Sequence, residues 1–232
     1  MRRLMSYEII RDLSAIRFVR CLRALPGREA YATGAGFTIG EATARCESEW
    51  IERGFELAEL RPLGIHPAGI AAHPNPARAE HAALIEATEG FMVEQLAAEP
   101  VLYGLPIFSR PGFKWWLART SAGYFSVIVT EIDGVPFAAH SAGTGLAHTL
   151  LKTWEEYRNP MSLRPARDDL ARYSRLALKV GAAGLEDIRF QLSTRRYECP
   201  KLSDYDVQHV QRGRHYVVYL TSRVMWKGKG DA

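Results

Sequence analysis

The segment Ala68-Gly69-Ile70-Ala71-Ala72 runs through His73-Pro74-Asn75-Pro76 into a helical stretch, Ala83-Leu84-Ile85-Glu86-Ala87-Thr88-Glu89. It is the clearest of three related segments. Each sets a turn rich in small residues ahead of a helix with spaced charges. The first is Thr33-Gly34-Ala35-Gly36-Phe37, followed by Glu47, Glu49, Glu52 and Arg53. The third is Gly143-Thr144-Gly145, followed by Lys152, Glu155 and Glu156. Residues three or four apart share one face of a helix, so Glu49 with Glu52, Glu86 with Glu89, and Lys152 with Glu156 each point one way. Carboxylates gathered from several helices suit magnesium on a nucleotide, because Mg2+ takes hard oxygen ligands and shares them with phosphates.

Composition sets the frame. The chain has 232 residues, 47% hydrophobic and 24% charged, ordinary values for a soluble globular protein with a sizeable core. We expect one domain over residues 1–232, with the motifs in a core of about 30–160. No apolar run approaches the ~20 residues of a membrane helix. The N-terminal Met1-Arg2-Arg3-Leu4-Met5-Ser6-Tyr7 lacks the apolar region of a secretory signal, so a cytoplasmic protein is expected. Cys21, Cys46 and Cys199 are odd in number and far apart, which argues against a disulfide framework and a zinc site. The seven histidines show no metal-ligand spacing with Cys or Asp. For His73 and His140, near motif turns, local structural hydrogen bonds are the leading reading and substrate contact the other.

The net charge of +4 is mild, and basic residues are dispersed, with small clusters at Arg195-Arg196 and Arg212-Gly213-Arg214. No nucleic-acid reading element accompanies them, so nucleic acid is not the expected partner. An acidic peptide or a nucleotide accounts for the excess equally well.

Helices and strands alternate along the chain. The pattern predicts a helix starting over 7–14, strands over 16–23 and 29–32, a turn at Pro26-Gly27 and a helix over 39–60. A strand over 66–72 and a helix from Pro76 to about Ala98, capped by Asn75, follow. Strands are expected over 101–108, 124–131 and 135–140, the last two joined by a hairpin at Asp133-Gly134. Helices over 146–157, stopping before Asn159-Pro160, and over 168–180, ending at Gly181, precede strands over 188–194 and 216–221. The 205–211 segment is ambiguous. Trp115-Trp116 is expected to pack under a loop, with a peptide-binding surface or an interface anchor as the other reading. Tyr216 to Tyr219 is expected to form a core or edge strand, and an exposed edge there accepts a peptide by strand addition. The class is mixed α/β (α+β), with helices packed on a largely antiparallel sheet.

In order and spacing the three segments resemble the glycine-to-glutamate motifs of the YcaO family, whose second motif sets a Gly-x-Ala-Ala turn before a Glu-x-x-Glu helix. In the third, a basic residue precedes a glutamate by four positions, here Lys152 and Glu156. The resemblance implies ATP- and Mg2+-dependent activation of peptide backbone amides, leading to azolines, thioamides or amidines in ribosomally made peptides. It implies that Glu49, Glu52, Glu86 and Glu156 hold magnesium, with Glu89 also at the nucleotide, and that Lys152 neutralises phosphate. Gly34 and Gly36 would let backbone N–H groups approach the nucleotide. It makes Glu86→Gln the substitution that abolishes nucleotide binding. The implied partners are a precursor peptide and a partner protein of a modification complex; a homodimer would let a shortened domain complete its core across an interface. The rival function is a non-catalytic subunit that binds the precursor peptide or a partner enzyme. Ala35 and Gly90, where relatives carry basic residues, and an end at Lys227-Gly228-Lys229-Gly230-Asp231-Ala232 without a proline-rich tail favour that rival.

Overall fold

The computed structural model of the chain describes residues 6–11, 17–24, 31–163 and 175–223. Two compact units emerge, one of residues 1–84 with 201–232, the other of residues 85–200.

In the first unit, β1 (Ser6–Arg11), β2 (Arg17–Ala24) and β3 (Tyr31–Gly36) form an antiparallel sheet in that order. The helix expected from residue 7 is therefore a strand over its described part. Tyr7 sits opposite Cys21 and Ile9 opposite Val19. Aromatic and β-branched residues favour that pleated setting, and the cross-strand pairing overrides the local helical pattern. Residues 12–14, Pro26-Gly27, Glu29 and Ala30 lie outside the described residues. The first glycine motif is itself strand. A Cβ at Gly34 would come within 2.3 Å of Cys46 N and 2.4 Å of the Ala42 carbonyl oxygen, so only glycine lets the next helix lie so close.

That helix is α1 (Ile39–Phe55). Thr38 caps it, its hydroxyl accepting from Glu41 N at 3.2 Å, while the Glu41 carboxylate accepts from Phe37 N at 2.8 Å. The expected run to Leu60 continues as a π-helical turn, Glu56–Leu60, and a 3₁₀ turn, Arg61–Leu63. Gly64, at φ +70°, ends it. β4 (Gly69–His73), β11 (Tyr205–Arg212) and β12 (His215–Ser222) form a second antiparallel sheet in the order β11-β12-β4. The ambiguous 205–211 segment is thus a strand. β12 is central, with both edges paired, so the Tyr216–Tyr219 stretch offers no edge for strand addition. α1 packs against β2 and β3 and against β4 and β12, burying Cys21, Ala32, Ala42 and Cys46 in one core and Phe55, Leu60, Ile70 and Val217 in another.

α2 (Pro76–Ala98) has the expected bounds, and Asn75 Oδ1 accepts from Arg78 N at 3.1 Å as its cap. The division between the units falls within α2, between Leu84 and Ile85. The second unit is built on β5 (Val101–Arg110), β6 (Phe113–Thr120), β7 (Gly123–Ile132), β8 (Val135–Gly143) and β9 (Arg189–Leu192), in the order β8-β7-β6-β5-β9. Its neighbours are antiparallel except β9 beside β5 and the two-residue β10 (Arg196–Tyr197) beside β6. Asp133 and Gly134, at φ 51° and 74°, make the primed hairpin turn. Trp115 and Trp116 lie in strand β6 rather than under a loop. Their bulk suits a sheet covered on both faces: Trp115 stacks on Trp154 and Trp116 on Phe190.

α3 (Leu146–Leu163) runs past Pro160, where the sequence predicts a stop. A proline inside a helix forfeits one hydrogen bond, here to the Glu156 carbonyl, without ending the helix. α4 (Arg175–Glu186) likewise continues beyond Gly181, which kinks it at φ 70°; residues 168–174 of its expected span lie outside the described residues. α3 and α4 both pack against β8, and the main core joins Met92, Leu96, Leu102, Phe125, Val127, Leu176 and Leu185.

Candidate active site

Three elements of the second unit converge on one acidic centre. On α2, Glu89 lies among the buried residues Thr88, Met92 and Val93 and is only 5% exposed. On β8, the outer strand of the sheet, His140 is 2% exposed and stacks on Phe125 with ring centroids 6.1 Å apart. On α3, Lys152 and Glu156 are one turn apart. Ligand atoms of Glu89, His140 and Glu156 all lie within 4.8 Å of one another, and among the described residues no other three His, Cys, Asp or Glu side chains do so.

A chain of hydroxyls sets the register between β8 and α3. Ser141 Oγ donates to the Thr149 carbonyl at 2.8 Å and lies 2.7 Å from Thr153 Oγ1. Thr153 Oγ1 donates to the same carbonyl at 2.9 Å. A Cβ at Gly143 would meet Thr149 Oγ1 at 2.5 Å, so that glycine permits the close approach. His140, beside Ser141, is thereby held at a fixed height along α3.

The electrostatics favour a cation. Glu89 Oε2 accepts from Ala142 N at 3.2 Å and pairs with Lys152 Nζ at 3.5 Å. Glu89 Oε1 approaches His140 Nδ1 to 3.2 Å, but out of line for a hydrogen bond, leaving the buried Nδ1 without one. Burial pushes the Glu156 carboxyl up to about 7, the Glu89 carboxylate adds to the rise, and Lys152 and His140 oppose it. Two facing carboxylates and a buried imidazole nitrogen without a hydrogen bond fit a divalent cation. It would neutralise the carboxylates and give Nδ1 a partner. Magnesium matches the oxygens, and the imidazole also admits manganese or zinc.

Among the described residues, none of the other expected site residues belongs to this triad. Glu86, partly buried on α2, is one turn before Glu89 and outside the triad. In the first unit, Glu49 Oε2 accepts from Thr33 N at 3.1 Å and Thr33 Oγ1 at 3.2 Å. Glu52 Oε1 accepts from Ala72 N at 2.7 Å. Gly34 and Gly36 both lie against α1, where added Cβ atoms would clash. His73 has the expected local role, its Nδ1 accepting from Asn75 N at 2.9 Å. His140 is the addition. One carboxylate partner, Glu89, comes from α2, three strands earlier in the chain, so no spacing announced it; its place on a strand running into the third glycine motif was the only signal.

No protein-family model matches the sequence, and no curated protein matches it. Solved structures do. A structure of the E. coli microcin synthetase McbBCD complex matches with TM-score 0.53 and 10% identity, covering 95% of this chain and 90% of the other. YcaO from Methanopyrus kandleri, bound with AMPPCP and Mg2+, matches with TM-score 0.50 and 14% identity, covering 92% and 85%. The fold is YcaO-like. The YcaO-like match extends over both units, and no helix among the described residues is long and apolar enough to cross a membrane.

Proposed function

We propose that the chain is an ATP- and Mg2+-dependent enzyme that activates peptide backbone amides, its two units together making one YcaO-like domain. The acidic centre carries this reading: a carboxylate pair, an imidazole nitrogen and a lysine in a YcaO-like fold, whose M. kandleri counterpart binds AMPPCP, an ATP analogue, with Mg2+. Glu89, Glu156 and His140 would hold the cation. Lys152, with a side chain 39% exposed, bridges Glu89 and the outside and is suited to a phosphate oxygen. Glu86, one turn away on α2, extends the acidic face toward the nucleotide.

The chemistry asks for such a centre. A nucleophile, either a Cys, Ser or Thr side chain or an external one, adds to the amide carbon, and the amide oxygen takes the γ-phosphoryl group from ATP, releasing ADP. Phosphate then leaves with the former amide oxygen, a far better departure than hydroxide. Bound magnesium supplies neutralisation of the phosphate charges. The chain's part is positional: Ala142 N–H orients Glu89, the Ser141 hydroxyl chain fixes His140 beside α3, and Lys152 meets the transferred charge. The setting would be cytoplasmic, with a precursor peptide as substrate.

Calorimetric titration with AMPPCP, with and without MgCl2, tests the reading. Binding that needs Mg2+ and is lost in Glu89→Gln and Glu156→Gln is the expected outcome; equal binding by parent and variants sinks the assignment. A second reading, a non-catalytic subunit that binds the precursor peptide or a partner enzyme, is favoured by the likeness to a structure of a synthetase complex. It predicts no binding at millimolar AMPPCP and stable association with a second protein.

A further inference from the structure

The edge that the Tyr216–Tyr219 stretch does not offer is present on β5. There β9 pairs only with Val101–Gly104, and Ser193 N, donating to the Gly104 carbonyl at 2.9 Å, marks where that segment leaves. From Leu105 to Arg110 the strand pairs with β6 alone among the described residues. Pro106 fits this setting, because proline within a sheet belongs at an edge or a bulge, and the β5–β6 register shifts between Pro106 and Phe108. Every residue from Leu105 to Arg110 is exposed, with Leu105 and Ile107 at 40% and Phe108 at 50%. An exposed apolar edge is a template for pairing with another chain.

The charge around this edge has one sign. No Asp or Glu occurs between Glu99 and Glu131, or between Asp187 and Glu198, so β5, β6, β9 and β10 carry basic charges only. Arg110 ends β5 and lies over the rings of Phe108 and Phe113 at 5.9 and 5.7 Å. Lys114, opposite Ser109, lies over Phe190 at 5.5 Å. At the other end of the edge, just past β9, Arg195 lies over Tyr103 and Tyr197 at 5.2 and 5.8 Å. None of these three makes an ion pair among the described residues, whereas Arg53, Arg61, Arg212, Arg214 and Arg223 of the first unit each meet a carboxylate. A guanidinium lying on a ring keeps its N–H edge for a carboxylate.

These charges choose the occupant. Two copies joined edge to edge about a twofold axis run antiparallel, which sets Arg110 of each toward the end of the other that carries Arg195. Like charges would then face at both ends of the pair. An extended segment that alternates apolar residues with carboxylates has the opposite fit, with apolar side chains for Leu105, Ile107 and Phe108 and carboxylates for Arg110 and Arg195. We propose that the Leu105–Arg110 edge of β5 docks an acidic, extended peptide by strand addition. Pro106 supplies no donor, so the ladder is short and the two arginines weigh heavily. The proposal deepens the proposed function by giving the precursor peptide a place to bind. It rests on that reading only for the identity of the peptide and uses no residue of the acidic centre.

A short fluorescein-labelled peptide alternating valine with glutamate is the probe, with its lysine counterpart as control, read by fluorescence anisotropy at constant ionic strength. The glutamate peptide should bind saturably, and the lysine peptide at least tenfold more weakly. Arg110→Gln should weaken binding several-fold. Ile107→Lys separates docking from charge. It adds a positive charge at an exposed position and should leave the melting temperature unchanged, yet weaken binding at least tenfold by blocking the apolar edge. Glu89→Gln should bind the peptide within twofold of the parent even where its AMPPCP binding is lost, so the failure of either reading shows by itself. Absence of saturable binding would overturn the proposal, as would parent-like or tighter binding by Ile107→Lys, or equal binding of the two peptides. So would a parent that sediments as a dimer and becomes a monomer in Ile107→Lys, which would assign the edge to a second copy.

Discussion

Glu49 and Glu52 on α1 carry the same i, i+3 spacing as Glu86 and Glu89 on α2, yet the two pairs meet opposite surroundings. Glu49 and Glu52 accept hydrogen bonds from the main chain of β3 and β4, at Thr33 N and Ala72 N. They tie one helix to two sheets. Glu89 accepts one main-chain bond, from Ala142 N, but also faces His140, Lys152 and the neighbouring carboxylate of Glu156. Main-chain donors satisfy a carboxylate and fix it in a structural role. A carboxylate set against another carboxylate and an imidazole nitrogen without a hydrogen bond gains further from an added cation. The spacing of glutamates therefore says that a face exists, and the donors opposite decide what the face does.

The largest expected effect separates the pairs directly. Glu89→Gln should lower Mg-AMPPCP affinity about a hundredfold, ~3 kcal/mol. Glu49→Gln should leave that affinity within about threefold and lower the melting temperature instead, because its loss falls on the α1–β3 contact. Both readouts come from one calorimetric and one thermal series. Equal losses of affinity in the two variants would erase the distinction and return Glu49 to the nucleotide, where the family resemblance sets it.

Protonation gives the next largest effect. Glu156 titrates near 7 in the folded chain against an ordinary value of 4.5. Below 4.5 both folded and unfolded forms hold the proton, and the group costs nothing. Between 4.5 and 7 the folded form holds the proton that the unfolded form has released, so stability falls as pH rises, by roughly 2–3 kcal/mol over the window. Denaturant titrations from pH 4.5 to 7.5 without divalent cations should show that decline, and Glu156→Gln should flatten it. Added Mg2+ should raise the melting temperature more at pH 7.5 than at pH 5, because the cation needs the ionised carboxylate. A parent profile as flat as that of Glu156→Gln would mean that the two carboxylates do not share one desolvated site.

On the structural side, Glu52→Ala should cost about 2 kcal/mol. It removes a charge-assisted bond and strands Ala72 N in the core of the β4 sheet. Glu52→Gln keeps an acceptor and should lose about half as much. An unchanged melting temperature in Glu52→Ala would show that α1 is held by its apolar face alone.

Much of this was readable from residues, and the failures share a cause. α2 announced itself through Asn75, Pro76 and Pro100, and the β7–β8 hairpin through Asp133-Gly134, since local steric rules govern both. β1 was misread as helix because its strand character comes from β2. β6 was missed because Trp115 and Trp116 sit side by side in a strand covered on both faces, where alternation is lost. Pro160 and Gly181 interrupt helices that packing carries onward. The order of the motifs singled out Glu89, Lys152 and Glu156, which lie side by side in the structure, but set the metal on Glu49, Glu52, Glu86 and Glu156. It did not single out His140, because the meeting of His140 with Glu89 depends on contact between a strand and a helix distant in sequence.

The smallest expected effect probes what holds that register. Ser141→Ala removes the hydroxyl that donates to the Thr149 carbonyl, while Thr153 Oγ1 still bonds the same carbonyl at 2.9 Å. No buried group is stranded, so the stability cost should be only about 1 kcal/mol. Its consequence for function should be larger than its cost suggests. His140 is the next residue along β8, and its Nδ1 must meet carboxylates from α2 and α3 at once, so a small slip of β8 along α3 misaligns all three. Mg-AMPPCP affinity should fall several-fold in Ser141→Ala, whereas Glu52→Ala, though more damaging to stability, should leave it nearly unchanged. The comparison breaks if affinity follows stability across these variants, for then the acidic centre would share the fate of the whole fold. If the two quantities part company, the α2 carboxylate belongs to a site with its own positioning residues, and the α1 carboxylates belong to the frame.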